Sequence, residues 1–221
     1  MEPETGDTLP RGRFITFEGG EGAGKSTQIA LASAFLEDRG IDHIVSREPG
    51  GSPGAEEIRR LLVEGEPGRW DAVTEMLLHF AARRDHIRTV IEPALAAGQW
   101  VLCDRFVDST LAYQGYGHAL GEAPVRQLAE MTIDQCWPDL TLILDLPVEA
   151  GLGRAATRMG VETRYERMDI AFHQRLRDGF LKIAATEPTR CRVVDASDPV
   201  DEVAGKIKKL LEKIIVIHRN E

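Results

Sequence analysis

Cysteine is scarce in this chain, and the three present, Cys103, Cys136 and Cys191, form no C-x-x-C pair. That excludes a zinc ribbon or a thioredoxin-like redox motif and leaves them as reduced core thiols. No apolar run approaches the roughly 20 residues that span a bilayer. An excess of positive charge is missing too. Lys and Arg number 27 against 36 Asp and Glu, a formal net charge of −9, which argues against a surface that coats nucleic acid but allows a local basic pocket for a small anion. Asparagine is nearly absent, Asn220 being the only one. Internal repeats and low-complexity segments are also lacking. What remains is 221 residues, 43% of them hydrophobic, enough for one good core. Residues 1–12, MEPETGDTLPRG, are acidic and proline-bearing with no apolar centre, unlike a signal or transit peptide. They are expected to be a flexible extension before a single domain over 13–221, in a cytoplasmic protein.

The chain is organised around RFITFEGGEGAGKST, Arg13 to Thr27. An alternating apolar run feeds into a glycine-rich turn with the spacing G-x-x-x-x-G-K-[ST], between a predicted strand and a predicted helix. Glycines at Gly19, Gly20, Gly22 and Gly24 allow positive φ, so successive backbone N–H groups can surround an anion. Lys25 then offers a point charge to β- and γ-phosphates and Ser26 a hydroxyl to Mg²⁺. The following helix turns its positive end toward the phosphates.

Further along, a helix is expected from Gln28 to Arg39 with Gly40 as its C-cap, a strand over His43–Ser46, and a loop from Arg47 to Gly54. Arg47 and Glu48 fall where a second strand meets the ligand crevice of an α/β sheet, with simple loop punctuation as the competing reading. A helix over Ala55–Glu64 carries Arg59 and Arg60. A long helical pattern runs from Asp71, a candidate N-cap, to Ala97, with Pro93 bending its end. Its AARRDH string reads equally well as a solvated helix face. Trp100–Cys103 is a buried strand that stops on Asp104 and Arg105, candidates for holding Mg²⁺ and phosphate oxygens, a structural ion pair being the alternative. Val107–Tyr116 reads as a polar, aromatic loop suited to a flat heterocycle. A helix over Glu122–Gln135 and a strand over Thr141–Leu146 follow, the strand with Asp145 as a second, less favoured metal candidate. Arginines from Arg154 to Arg177, interrupted by Gly160, read as a mobile lid over about 154–167, or as a charged helix pair. A strand over Cys191–Asp195 and an apolar helical stripe from Val203 to Ile215 close the chain. Five strands alternating with helices predict a three-layer α/β fold with a mostly parallel sheet.

Together FEGGEGAGKST, REPGG, HFAARRDHI, VLCDRFVDSTLAYQG and the arginines after LDL resemble the thymidylate kinases of the bacterial type, in the family's order and from Arg13 to the C-terminal helix. The resemblance implies a P-loop fold, transfer of the ATP γ-phosphate to dTMP with Mg²⁺, small nucleotides rather than nucleic acid or membrane as partners, and a homodimer. It makes Gly19, Gly20, Glu21, Gly22, Ala23, Gly24, Lys25, Ser26 and Thr27 the ATP cradle. Asp104 becomes the acidic group near metal and acceptor phosphate, with Ser26 as its companion at the metal, and Arg105 the holder of that phosphate. Arg83 would contact the thymine edge and Arg59 the phosphate end. Thr110, Tyr113 and Gln114 would line base and deoxyribose, with Glu48 and Pro49 in the same site. His79 stands where many members present phenylalanine to the base, and Phe106 where tyrosine is commoner. Gly22 stands where some members carry arginine, which leaves the catalytic charge to Arg158 and Arg164 of the lid.

Two other readings are a kinase for another small acceptor and a regulatory or mechanical NTPase. The sole asparagine denies a guanine-reading N-K-x-D string, and partner remodelling gives no reason for DRF and AYQG beside the cradle.

Overall fold

The computed structural model describes residues 10–64, 68–157 and 164–218. Five strands, β1 (Phe14–Glu18), β2 (His43–Arg47), β3 (Trp100–Asp104), β4 (Leu140–Asp145) and β5 (Cys191–Asp195), form one parallel sheet in the order β2-β3-β1-β4-β5. Around it lie α1 (Lys25–Glu37), α2 (Pro53–Val63), α3 (Ala72–His86), α4 (Glu92–Ala96), α5 (Val107–Thr110), α6 (Glu122–Ile133), α7 (Val148–Ala156), α8 (Ile170–Thr186) and α9 (Val200–His218).

Alternation along β1 explains the three layers. Ile15 and Phe17 point into a core with Ile29, Phe35 and Leu36 of α1 and Ile207 and Leu211 of α9. Phe14 points the other way, into a core with Phe80, Leu111, Val125, Phe172 and Phe180. Register aligns Arg47 with Asp104, Phe17 with Asp104, and Asp145 with Asp195. The carboxyl edge of the sheet therefore carries a row of charged groups, and the strand order reverses there between β1 and β3, where ligands bind in such sheets.

The long helix expected from Asp71 is present, with Asp71 Oδ1 accepting from Val73 N and Thr74 N. It passes through a wider π turn, Ile87–Ile91, immediately before Pro93, which has no N–H to give to the preceding turn. Two expectations need correction. Pro53 and Gly54 belong to α2, because Ser52 caps it and proline suits a first helical turn. Val107–Tyr116 is helical: α5 runs into a π segment, Leu111–Gly117. Val107, Leu111 and Ala112 are buried there, and packing overrides the weak helix propensity of Gly115 and Gly117. At Gly117 a Cβ would come within 2.6 Å of the Phe172 ring.

Among the described residues no helix is long and apolar enough to cross a membrane.

Candidate active site

The cradle turns between β1 and α1. Gly19, Gly22 and Gly24 take positive φ (134°, 68° and 88°), while Gly20 turns without it, so three backbone reversals suffice. Lys25 Nζ donates to the carbonyls of Gly19 and Gly20, both at 3.1 Å, placing the charge inside the ring of amides. Burial lowers its pKa to about 8, Arg105 adding to the effect while Asp104 and Glu21 oppose it. Ser26 Oγ donates to Asp104 Oδ2 at 3.3 Å across the β1–β3 gap.

A cavity of about 250 Å³ opens beside the cradle, and Glu21, Lys25, Ser26, Glu48, Pro49, Arg59, His79, Arg83, Asp104, Arg105, Thr110, Tyr113 and Gln114 all line it. Residues far apart in sequence thus meet in one place. Arg158 lies outside the described residues, as does the side chain of Arg164, whose backbone begins a short 3₁₀ turn, Arg164–Arg167. Arg154 instead donates to the Ala196 carbonyl at 3.2 Å.

Within the cavity each cation is oriented by its neighbours. Arg83 donates through Nε to Glu48 Oε2 at 2.8 Å and through Nη2 to Thr110 Oγ1 at 3.0 Å, with its guanidinium between the Phe80 and Phe106 rings. Its Nη1 is buried with no hydrogen-bond partner. His86 steadies Glu48 from behind, Nδ1 lying 3.1 Å from Oε1. Arg105, at φ 69°, reaches back to the Gly19 carbonyl, Ser109 Oγ and Glu21 Oε1, all within 3.0 to 3.1 Å. Burial alone would raise the Glu21 pKa, but Arg105 and Lys25 outweigh it and hold the carboxyl at about 2. Arg59 donates to the Pro49 carbonyl at 2.5 Å.

Asp104 and Asp145 differ sharply. Both Asp145 oxygens accept from Arg177, at 2.7 and 2.9 Å, whereas Asp104 Oδ1 is buried with no partner. An open carboxylate oxygen next to a serine hydroxyl is the hard, sparse donor set that suits Mg²⁺, which keeps waters and phosphate oxygens as its other ligands.

Sequence reasoning passed over Tyr165, Glu75 and Glu18. Tyr165 lines the cavity, its OH 3.3 Å from His79 Nε2 and its ring edge-on to Tyr113 at 5.1 Å. With only three tyrosines in the chain, one placed among the lid arginines was a usable signal. Glu75 lies one helical turn before His79 on the same face of α3. Glu18 closes β1 and accepts from Phe106 N at 2.7 Å and Ser109 Oγ at 2.5 Å.

On the opposite side of the cradle a second groove is lined by Gly22, Ala23, Gly24, Thr27, Arg154 and the turn Ala196–Val200. Gln28 Nε2 anchors that turn through the Val200 carbonyl at 3.0 Å.

A phosphate cradle set between two clefts, with an arginine and a carboxylate where they meet, defines a P-loop nucleotide kinase. The thymidylate kinase family model matches residues 17–207. A thymidylate kinase of Caulobacter vibrioides is 55% identical over 206 residues, covering 92% of this chain and 97% of the relative, and one of Rhodopseudomonas palustris strain TIE-1 is 57% identical over 202 residues, covering 89% and 87%. The crystal structure of thymidylate kinase from Ehrlichia chaffeensis superposes with a TM-score of 0.76 at 35% identity, covering 91% of this chain and all of that one. The chain belongs to the thymidylate kinase family, ATP-dependent kinases that convert dTMP to dTDP.

Proposed function

We propose that in this chain Gly19–Thr27 hold the phosphates of ATP, the 250 Å³ cavity holds dTMP, and the groove along Thr27, Arg154 and Ala196–Val200 receives the adenosine end of the donor. The observation that carries the acceptor assignment is a pair of unsatisfied buried atoms on residues lining the cavity, the acceptor Oε1 of Gln114 and the donor Nη1 of Arg83. Buried polar atoms are rarely left without partners. Thymine supplies the complement, a ring N–H to donate and O4 to accept; cytosine presents a ring lone pair and an amino group, the reverse. A site built to hydrogen-bond one edge rejects the analogue that leaves it unpaired.

Ser26 and Asp104 would hold Mg²⁺, which when bound neutralises charge on the transferring phosphoryl group. Lys25, now on the carbonyls of Gly19 and Gly20, would exchange them for β- and γ-phosphate oxygens. Arg105 and Arg59, at the cradle end of the cavity, would fork onto the acceptor phosphate. Gly22 supplies no side chain, and the arginines of the lid over about 154–167, Arg158 and Arg164, would bring the remaining positive charge when it closes. A homodimer is supported by the exposed Val73 and Leu77, one turn apart on α3, with Leu61 and Met131 exposed on α2 and α6. A cytoplasmic location agrees with three unpaired, buried cysteines.

The test is a panel of nucleoside monophosphates offered with ATP and Mg²⁺, reading ADP release. dTMP is expected to exceed dCMP in kcat/KM by at least about 100-fold. Guanine repeats thymine's carbonyl and ring N–H on two rings but has an amino group in place of O2, so the dGMP arm reads size together with the far side of that edge. Equal use of dTMP and dCMP sinks the acceptor assignment.

A further inference from the structure

Gln114 has two chemically different ends, and which one faces a bound base is decided behind the cavity. Its Nε2 lies 3.2 Å from Glu75 Oε2 and 3.4 Å from the Tyr165 hydroxyl, which itself donates to Glu75 Oε2 at 3.1 Å. Glu75 is 3% exposed and is not among the residues lining the cavity; His118 Nε2 stands 3.8 Å from the same oxygen. A carboxylate only accepts, so the amide NH₂ must point to Glu75. Turning the amide over would set Oε1 against Oε2, two buried acceptors with no proton between them. Oε1 is left with no partner of its own, although the whole side chain is buried.

We infer that Glu75 is a specificity-determining positioning residue: it locks the polarity of Gln114, so that the cavity offers an acceptor and selects a base with a ring N–H over one with a ring lone pair. The inference rests on the reading that Gln114 faces the acceptor base. It has a second consequence. Tyr165 follows the arginine segment in sequence and binds the same carboxylate oxygen as Gln114, so ordering of the 3₁₀ turn Arg164–Arg167 and polarity of the base-reading amide share one anchor.

The experiment compares kcat/KM for dTMP and dCMP in the parent, Glu75→Gln, Gln114→Ala and the double variant Glu75→Gln/Gln114→Glu, with Tm measured for each. In Glu75→Gln the new amide can donate to Gln114 Oε1 as readily as accept from its NH₂, so both orientations are satisfied. The dTMP-to-dCMP ratio is expected to fall by at least about tenfold while the KM for ATP stays at the parent value. The double variant restores an acceptor-only group facing the base and is expected to recover the dTMP preference. Loss of activity toward both nucleotides in equal proportion in Glu75→Gln, with the ratio kept, overturns the inference and leaves Glu75 a packing residue. If Glu75→Gln does not fold, the double variant decides alone: preference for dTMP supports the lock, and a lost preference overturns it. Gln114→Ala separates the two levels. An unchanged ratio there removes the reading of Gln114 itself, whereas a collapsed ratio there with an intact one in Glu75→Gln removes only the role of Glu75.

Discussion

Arg83 is held on every side but one. Its Nε and Nη2 are spent on Glu48 and Thr110, and two aromatic rings fix the plane, with centroids 4.9 and 5.1 Å from the guanidinium carbon. A lysine gathers its three donors on one nitrogen and could not reach Glu48, Thr110 and a third partner with the spacing of the planar fork. Arg83→Lys is therefore expected to lower kcat/KM for dTMP by at least about 100-fold and, by breaking a buried pair, to cost about 3 kcal/mol of stability. Steady-state kinetics and urea unfolding check the two parts. Lys25 behaves differently, because its present partners are only loop carbonyls. Lys25→Ala is expected to reduce kcat by roughly 10² to 10³ with Tm close to the parent, since the lost interaction belongs to the transferring phosphoryl group; a kcat near normal refutes that role. Asp104→Asn is expected to depress kcat far more than Asp145→Asn, whose carboxylate is already occupied by Arg177. Equal losses in the two would leave Asp104 no special claim on the metal.

Between elements, the closest approach at the cradle is made by two glycines. A Cβ on Gly22 would sit 2.0 Å from the Gly151 carbonyl of α7, and one on Gly151 would sit 2.5 Å from the Glu21 carbonyl. With φ at 68°, Gly22 is strained for any other residue as well. Gly22→Ala is accordingly expected to push α7 off the cradle, weakening ATP binding by at least about tenfold while dTMP binding changes less. Isothermal titration with each nucleotide separates the two, and parallel losses would show a general loss of folding instead. Such backbone-to-backbone contacts were invisible in the sequence, where Gly22 read as a positive-φ glycine of the cradle and as a place without arginine, not as a contact with α7. The central strands were legible because β1, β3 and β4 are short, mostly apolar runs buried on both faces, and the cradle because its spacing dictates its chemistry. Val107–Tyr116 was read as a loop from its polar, aromatic composition, while the burial of Leu111 and Ala112 that makes it helical depends on partners more than 50 residues away, such as Phe172. Glu75 and Tyr165 escaped for the same reason: they are joined across 90 positions, and no local pattern announces the pair.

On the scale of the whole molecule, a fully buried carboxyl sits at the end of the central strand. Glu18 is fully buried on β1 and bonds to Phe106 N and Ser109 Oγ, and Ser109 in turn accepts from Arg105, so one carboxyl ties the sheet to the cradle arginine. Burial, with Asp108 adding to it, raises its pKa from 4.5 to about 7. The folded protein thus keeps a proton that the unfolded chain has released over that interval. Stability contributed by Glu18 is fully present below about pH 4.5 and is lost as the pH rises through about 7, the sign required when the native state binds more protons. Contributions from groups remote from Glu18 are common to the variant and the parent and cancel in the comparison. Glu18→Gln keeps an acceptor for Phe106 N and carries no charge at any pH. The difference in unfolding free energy between Glu18→Gln and the parent is expected to move in the variant's favour by on the order of 2 kcal/mol from pH 5 to pH 8. Urea unfolding at the two pH values measures it directly. If the two proteins lose or gain stability in parallel across that range, Glu18 is ionised in the folded state throughout, and the Asp108 and burial effects on it are balanced by Arg105.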